Sequence, residues 1–239
     1  MKSADYNSQN ELNAKFLDFC KKGLFNKNTL NEFLENGVDI NAKDAEGFTA
    51  LHFAALGGNQ EIANWLITNK ADLNIPDPLG QTPLHLAVSM ENRVMVDLLL
   101  QKDGVNINAK DRYGDTPLRL AVSKGDTKMV ELLLEKKADI NAQNQNGKTP
   151  LDLATRKGDT EMVKLLLEKK ADINAPQNNK EETPLHLAAL EGNTEMVELL
   201  LQKEGVNINA KDIDNNTPLY LAYREKKMGS CENATHQQT

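Results

Sequence analysis

The feature that most constrains this sequence is a repeat. Thr82-Pro83-Leu84-His85-Leu86-Ala87 recurs as Thr116-Pro117-Leu118-Arg119-Leu120-Ala121, again from Thr149, Thr183 and Thr217, and in weaker form from Thr49. Successive threonines lie 33, 34, 33, 34 and 34 residues apart. A second block keeps step with the first: Met129-Val130-Glu131-Leu132-Leu133-Leu134 matches 162–167 and 196–201. A third, Ala138-Asp139-Ile140-Asn141-Ala142, is matched from Ala171 and by Val206-Asn207-Ile208-Asn209-Ala210. Self-similarity at such a period means a linear array of supersecondary units, each too small to bury its own apolar face.

The chemistry of one unit follows from its residue types. Thr is a side-chain N-cap, and Pro after it stands at the first helical position, where its missing N–H costs nothing. Leu and Ala then recur for about two turns. Gly58, Gly125, Gly158 and Gly192 stop that helix in a left-handed conformation. Asn59, Asn92, Asp126, Asp159 and Asn193 cap a second helix, whose apolar pairs fall three and four residues apart on one face. Next comes an Asp-first, Gly-fourth tetrapeptide (Asp44 to Gly47, Asp77 to Gly80, Asp111 to Gly114), the chemistry of a type I turn. Each unit therefore reads as helix, tight turn, helix, projecting turn. Each buried Leu contributes about 1.5–3 kcal/mol, so stacked units hold together without a cofactor.

The Thr-Pro-Leu-His segments, Leu-rich second helices and Asp-Ile-Asn-Ala turns together resemble the ankyrin-repeat family over residues 11–228. The resemblance implies an all-α solenoid: stacked antiparallel helix pairs, slightly curved, with projecting β-turn fingers. The sequence divides into a disordered N-terminus (1–10), an N-terminal capping repeat (11–43) and full repeats at 44–76, 77–110, 111–143, 144–177 and 178–211. A partial C-terminal repeat (212–228) and a polar, disordered tail (229–239) complete it. In the capping repeat, Leu12, Phe16, Phe19 and Cys20 share a helical face, followed by Leu30, Phe33 and Leu34. Three departures stand out. Lys70, Lys137 and Lys170 occupy the place of the usual glycine after the second helix; Ser89 to Asn92 lack the glycine between helices; and Pro176 to Glu182 carry an extra residue, which should reshape that finger.

Composition excludes several classes. The net charge of −7 repels phosphate backbones, so no nucleic acid is expected as a partner. No run of 18 apolar residues spans a membrane, and the N-terminus has no apolar secretory stretch. Cys20 and Cys231 form neither a disulfide framework nor a zinc spacing, which points to a reducing, cytoplasmic location, or to a host cell's cytoplasm if the protein is delivered there. His52, His85 and His186 recur at the repeat period, but stacked helices lie too far apart for a shared metal. The resemblance implies that each histidine bonds the neighbouring turn's backbone. Trp65 reads as a bulky core residue, and Asn41, Asn74, Asn141 and Asn174 as turn asparagines bonding nearby backbone. No phosphate loop, nucleophile elbow or H-E-x-x-H occurs, so no catalytic residue, metal, cofactor or enzymatic activity is expected.

The expected function is a non-catalytic, monomeric scaffold that binds another protein through its finger tips and concave helix face. Two alternatives stand beside it: a secreted effector of an intracellular microbe acting on a host protein, and a truncated targeting module of a larger enzyme. The partner-binding candidates are Phe48, Leu56, Leu79, Met90, Arg112, Tyr113, Lys124, Lys148, Arg156 and Lys157. The apolar ones fall in the N-terminal half and the basic ones in the middle, so the partner is expected to place apolar groups near 44–110 and acidic groups near 111–177.

Overall fold

The computed structural model describes residues 2–176 and 180–225, with residues 2–7 as backbone alone. Contacts divide the chain into two units, residues 1–121 with 135–137, and residues 122–134 with 138–239. The described residues form helices and turns, with no strand among them.

The first unit opens with α1 (Lys2–Lys21) and α2 (Lys27–Glu35), followed by the pairs α3 (Ala50–Gly57) with α4 (Gln60–Thr68) and α5 (Pro83–Ser89) with α6 (Arg93–Leu100). Helix α7 (Pro117–Lys124) begins in the first unit and ends in the second. The second unit continues with α8 (Thr127–Glu135), then α9 (Pro150–Arg156) with α10 (Thr160–Glu168), and α11 (Pro184–Leu190) with α12 (Thr194–Leu201). A last helix, α13, runs over 218–225.

Local chemistry sets these boundaries. Thr49 Oγ1 accepts from the His52 N–H at 3.4 Å, and Thr149 Oγ1 accepts from the Asp152 N–H at 3.2 Å. Pro stands at the start of α5, α9 and α11. Gly58 closes α3 at φ 66°, and Asn59 Oδ1 then accepts from the Ile62 N–H at 2.9 Å to open α4. Where glycine is missing between α5 and α6, Glu91 takes the left-handed conformation itself, at φ 56°. Lys70, Lys137 and Lys170 do the same after their helices, at φ 67°, 67° and 69°. Each is enforced by a bond reaching back into the helix: the N–H of Ala71 to Leu66 O, of Ala138 to Leu133 O and of Ala171 to Leu166 O, all at 2.9 Å.

Each core is a stripe. In the first unit it is built from Phe16, Leu30, Leu51, Ile62, Leu66, Leu84, Met95 and Leu99, and in the second from Met129, Leu133, Leu151, Met162, Leu166 and Met196, all nearly inaccessible. The phenylalanines and Trp65 gather toward the N-terminal end, where the Phe16 ring lies 5.5 Å from Phe33 and 6.3 Å from Trp65. Trp65 is buried, as its helical position requires, and its Nε1–H donates to Asn31 Oδ1 at 3.0 Å. Cys20 is buried too, and burial pushes its thiol pKa up to about 12.

Helix α1 runs through the N-terminal residues that composition marks as polar. Residues 1–10 read as disordered, yet α1 is helical from Lys2 onward. From Gln9 onward long-range bonds tie it down: Gln9 Nε2 donates to Gly37 O at 3.0 Å, and Asn13 Oδ1 accepts from Gln9 Nε2 and from the Asp39 N–H. Polar composition suggested solvent where these side chains tie the helix to the following turn. The reshaped finger between Pro176 and Glu182 lies partly outside the described residues; beyond 177–179, Glu181 adopts φ 57° and Glu182 is buried. The tail at 229–239 also lies outside them.

Candidate functional site

The fingers are rigid for a chemical reason. In the finger opening at Asp77, the carboxylate Oδ1 accepts from the N–H groups of Leu79 and Gln81, both at 2.8 Å, while the Gly80 N–H closes the turn onto Asp77 O. Asp111 does the same for Tyr113 and Asp115. One carboxylate thus satisfies two donors of a loop that has no ladder of its own.

The recurring histidines fix three of the fingers to the preceding helix pair. The Thr49 N–H meets His52 Nδ1 at 3.1 Å; an N–H can only donate, so Nδ1 accepts. Nε2 therefore carries the proton and donates to Gln81 O at 3.2 Å. His85 reaches Asp115 O at 3.2 Å, and His186 reaches Asn216 O at 3.1 Å. Burial holds the pKa values of His52 and His85 below the ordinary histidine value, against the opposing pull of these backbone acceptors. The described residues contain no group of three His, Cys, Asp or Glu placed to hold a metal.

Asparagines make a second link that the sequence reading saw only as local. Asn41 Oδ1 accepts from the Asp72 N–H at 2.8 Å, and Asn74 Oδ1 accepts from the Asn106 N–H at 2.8 Å while its Nδ2 donates to Gly104 O at 2.7 Å. In the second unit Asn141 serves Asp172, and Asn174 serves Asn207 and Gly205. Each bond joins one repeat to the next.

On this frame the candidate binding residues separate into groups. Leu79, Met90 and Tyr113 are exposed at 43%, 55% and 59%. Leu79 and Tyr113 sit on adjacent fingers joined by the Arg112 N–H bond to Leu79 O at 2.8 Å, and the exposed Arg112 guanidinium lies 5.5 Å from the Tyr113 ring. Phe48 and Leu56, expected to be exposed, are half-buried. Phe48 stacks on Phe53 at 5.8 Å and meets His52 edge-on at 5.7 Å, so its finger turns it back onto α3.

The basic candidates differ in exposure and in their partners. Lys124 is exposed, and Lys148 is half-buried in its own finger. Lys157 Nζ donates to Ser123 O. Arg156 Nε bonds Asp152 Oδ1 at 3.0 Å, and its other nitrogens lie 3.9 Å from Glu182 Oε2 and Glu191 Oε1. Three carboxylates therefore lie around the Arg156 guanidinium, two of them on the buried Asp152 and Glu182. The Glu191 pKa is raised, chiefly by burial, with Arg156 opposing and Asp152 adding to the shift.

Two family models cover almost the whole of this architecture. One, described as ankyrin repeats in three copies, matches residues 18–111 and 104–177; the other, described as ankyrin repeats in many copies, matches 157–201 and 188–226. The chain belongs to the ankyrin-repeat family. A search of curated proteins finds no match. Ankyrin repeats mediate protein–protein interaction and serve as scaffolds that are typically non-catalytic. No helix among the described residues of this ankyrin-repeat chain is long and apolar enough to cross a membrane.

Proposed function

We propose that this ankyrin-repeat protein is a non-catalytic scaffold that captures a partner protein on the finger tips of its first unit. The observation that carries the reading is the trio Leu79, Arg112 and Tyr113 on two finger tips bonded to each other. Aromatic and Arg anchors supply most interface energy, and here they stand on backbone that needs no ordering when a partner arrives. Met90, exposed at the end of α5, adds an adaptable apolar contact. Phe48 and Leu56, half-buried, act as support for neighbouring contacts. Lys124 and Lys148 remain contacts for acidic groups, whereas Arg156 and Lys157 are engaged within the protein and act through local charge. The reading includes a monomer in a reducing compartment, the cytoplasm of its own cell or of a host, in keeping with a chain whose only cysteines are Cys20 and Cys231.

Replacing Leu79, Met90 and Tyr113 together by Ala tests this. Affinity for the native partner should fall at least tenfold, each anchor being worth about 2 kcal/mol, while the circular dichroism spectrum stays unchanged. A partner recovered equally well by the triple variant would sink the proposal.

A further inference from the structure

We infer that the cleft between α1 and the first finger takes a cationic peptide segment, one whose Lys or Arg lies on the Phe53 ring. The inference rests on the protein-binding reading above and adds the chemistry of what is bound. The cleft has a volume of about 580 Å3 and lies within the first unit. Leu17, Ala42 and Phe53 supply apolar surface, and the rim carries Asp18, Asp39, Asp44 and Glu46 against Lys21 and Lys43.

Both lysines are already committed. Lys43 Nζ donates to Pro76 O at 3.0 Å, in the next repeat. Lys21 Nζ lies 5.2 Å from the centre of the Phe53 ring, whose other neighbour is Phe48. Asp18 is paired with Lys22 at 2.6 Å, both side chains being exposed, and Glu46 makes no ion pair or hydrogen bond among the described residues. The rim therefore retains more carboxylate than cation, beside an aromatic face on which an ammonium group already rests. Lys21 shows the chemistry that this face selects. An incoming Lys or Arg would take its place, with its aliphatic stem against Leu17 and Phe53 and its neighbours facing Asp39 and Glu46. An acidic segment would meet the same rim with repulsion.

The test is selection of short random peptides on the full-length protein, followed by affinity and chemical-shift measurements with the strongest binder. The selected peptides should be rich in Lys and Arg and should perturb Leu17, Ala45 and Phe53. Glu46→Lys should weaken binding about tenfold, whereas Glu131→Lys on exposed α8, with the same change in net charge, should not. Lys21→Ala removes the competing ammonium and should tighten binding several-fold, while Phe53→Leu should weaken it. Acidic selected peptides, no selected peptide at all, or equal losses for Glu46→Lys and Glu131→Lys would overturn the inference. Peptides whose footprint falls only on Leu79, Met90 and Tyr113 would overturn it as well, while leaving the finger-tip scaffold standing.

Discussion

At the scale of single residues, strain and protonation are both set by backbone that the side chain does not choose. Lys70, Lys137 and Lys170 are held left-handed by the bond that closes each helix, a conformation that costs a residue with a Cβ about 1 kcal/mol. Replacing each by Gly should raise stability by about that amount, less the extra freedom Gly gives the unfolded chain, and the three gains should add because each relieves strain in its own backbone. Thermal denaturation of the single and triple variants measures this; a triple variant no more stable than wild type would show that the lysine stems contribute packing that offsets the strain. His52 and His85 make a second case. Their Nδ1 atoms must accept from Thr N–H groups, so the native state keeps both rings neutral, and burial lowers their pKa values from 6.5. With the folded pKa below the unfolded one, the unfolded chain binds more protons as pH drops. The histidines' contribution is therefore whole above pH 6.5 and is lost as pH falls toward and through the folded values. The urea midpoint should decline between pH 7 and about 5, and His52→Gln with His85→Gln should flatten that slope. An unaltered slope in the double variant would remove these rings from the account.

At the scale of elements, the finger shows how far local chemistry reaches. Gly80 has φ 78°, and a Cβ placed on it would lie 2.7 Å from the Arg112 backbone nitrogen, the atom that bonds Leu79 O. Gly80→Ala should therefore cost about 2 kcal/mol or more, and should also lower partner affinity by separating Leu79 from Tyr113. Calorimetric unfolding beside a binding isotherm checks both, and a fully stable, fully binding variant would refute the linkage. The parts of this fold that were legible in the sequence are those written within a few residues: the Thr-Pro helix starts, the glycines and asparagines that separate paired helices, and the Asp-to-Gly turns. What escaped depends on residues far apart in the chain. Asn74 bonds the backbone of Gly104 and Asn106, and Arg156 faces Glu182 and Glu191, so its charge is balanced by residues a repeat away. Phe48 reads as an exposed finger residue until Phe53 and His52 are seen beneath it. Gln9 and Asn13 of α1 meet the turn at 37–39 in the same way.

At the scale of the whole chain, a repeat array distributes stability by nearest neighbours, so its parts open at different free energies. Helix α5 has neighbours in the unit on more than one side: Leu84, Leu86, Ala87 and Val88 are all nearly inaccessible, and its His85 bonds the following finger. Helix α13 contrasts with it. Among its described residues Leu221 and Pro218 are buried, while Leu219, Tyr220 and Tyr223 are exposed at 78%, 51% and 62%. Its approach is pinned by two backbone contacts, His186 Nε2 to Asn216 O at 3.1 Å and the Ile213 N–H to Lys180 O at 3.0 Å. Opening α13 therefore exposes little more than Leu221 and Pro218, the Leu alone worth about 1.5–3 kcal/mol, whereas opening α5 exposes several apolar side chains and removes a histidine bond as well. Native-state hydrogen exchange should find the Leu221 amide, bonded to Thr217 O, at least a hundredfold less protected than the Met90 amide, bonded to Leu86 O. Equal protection at the two amides would mean that the array opens all at once, and that neighbour-by-neighbour stability does not describe this chain.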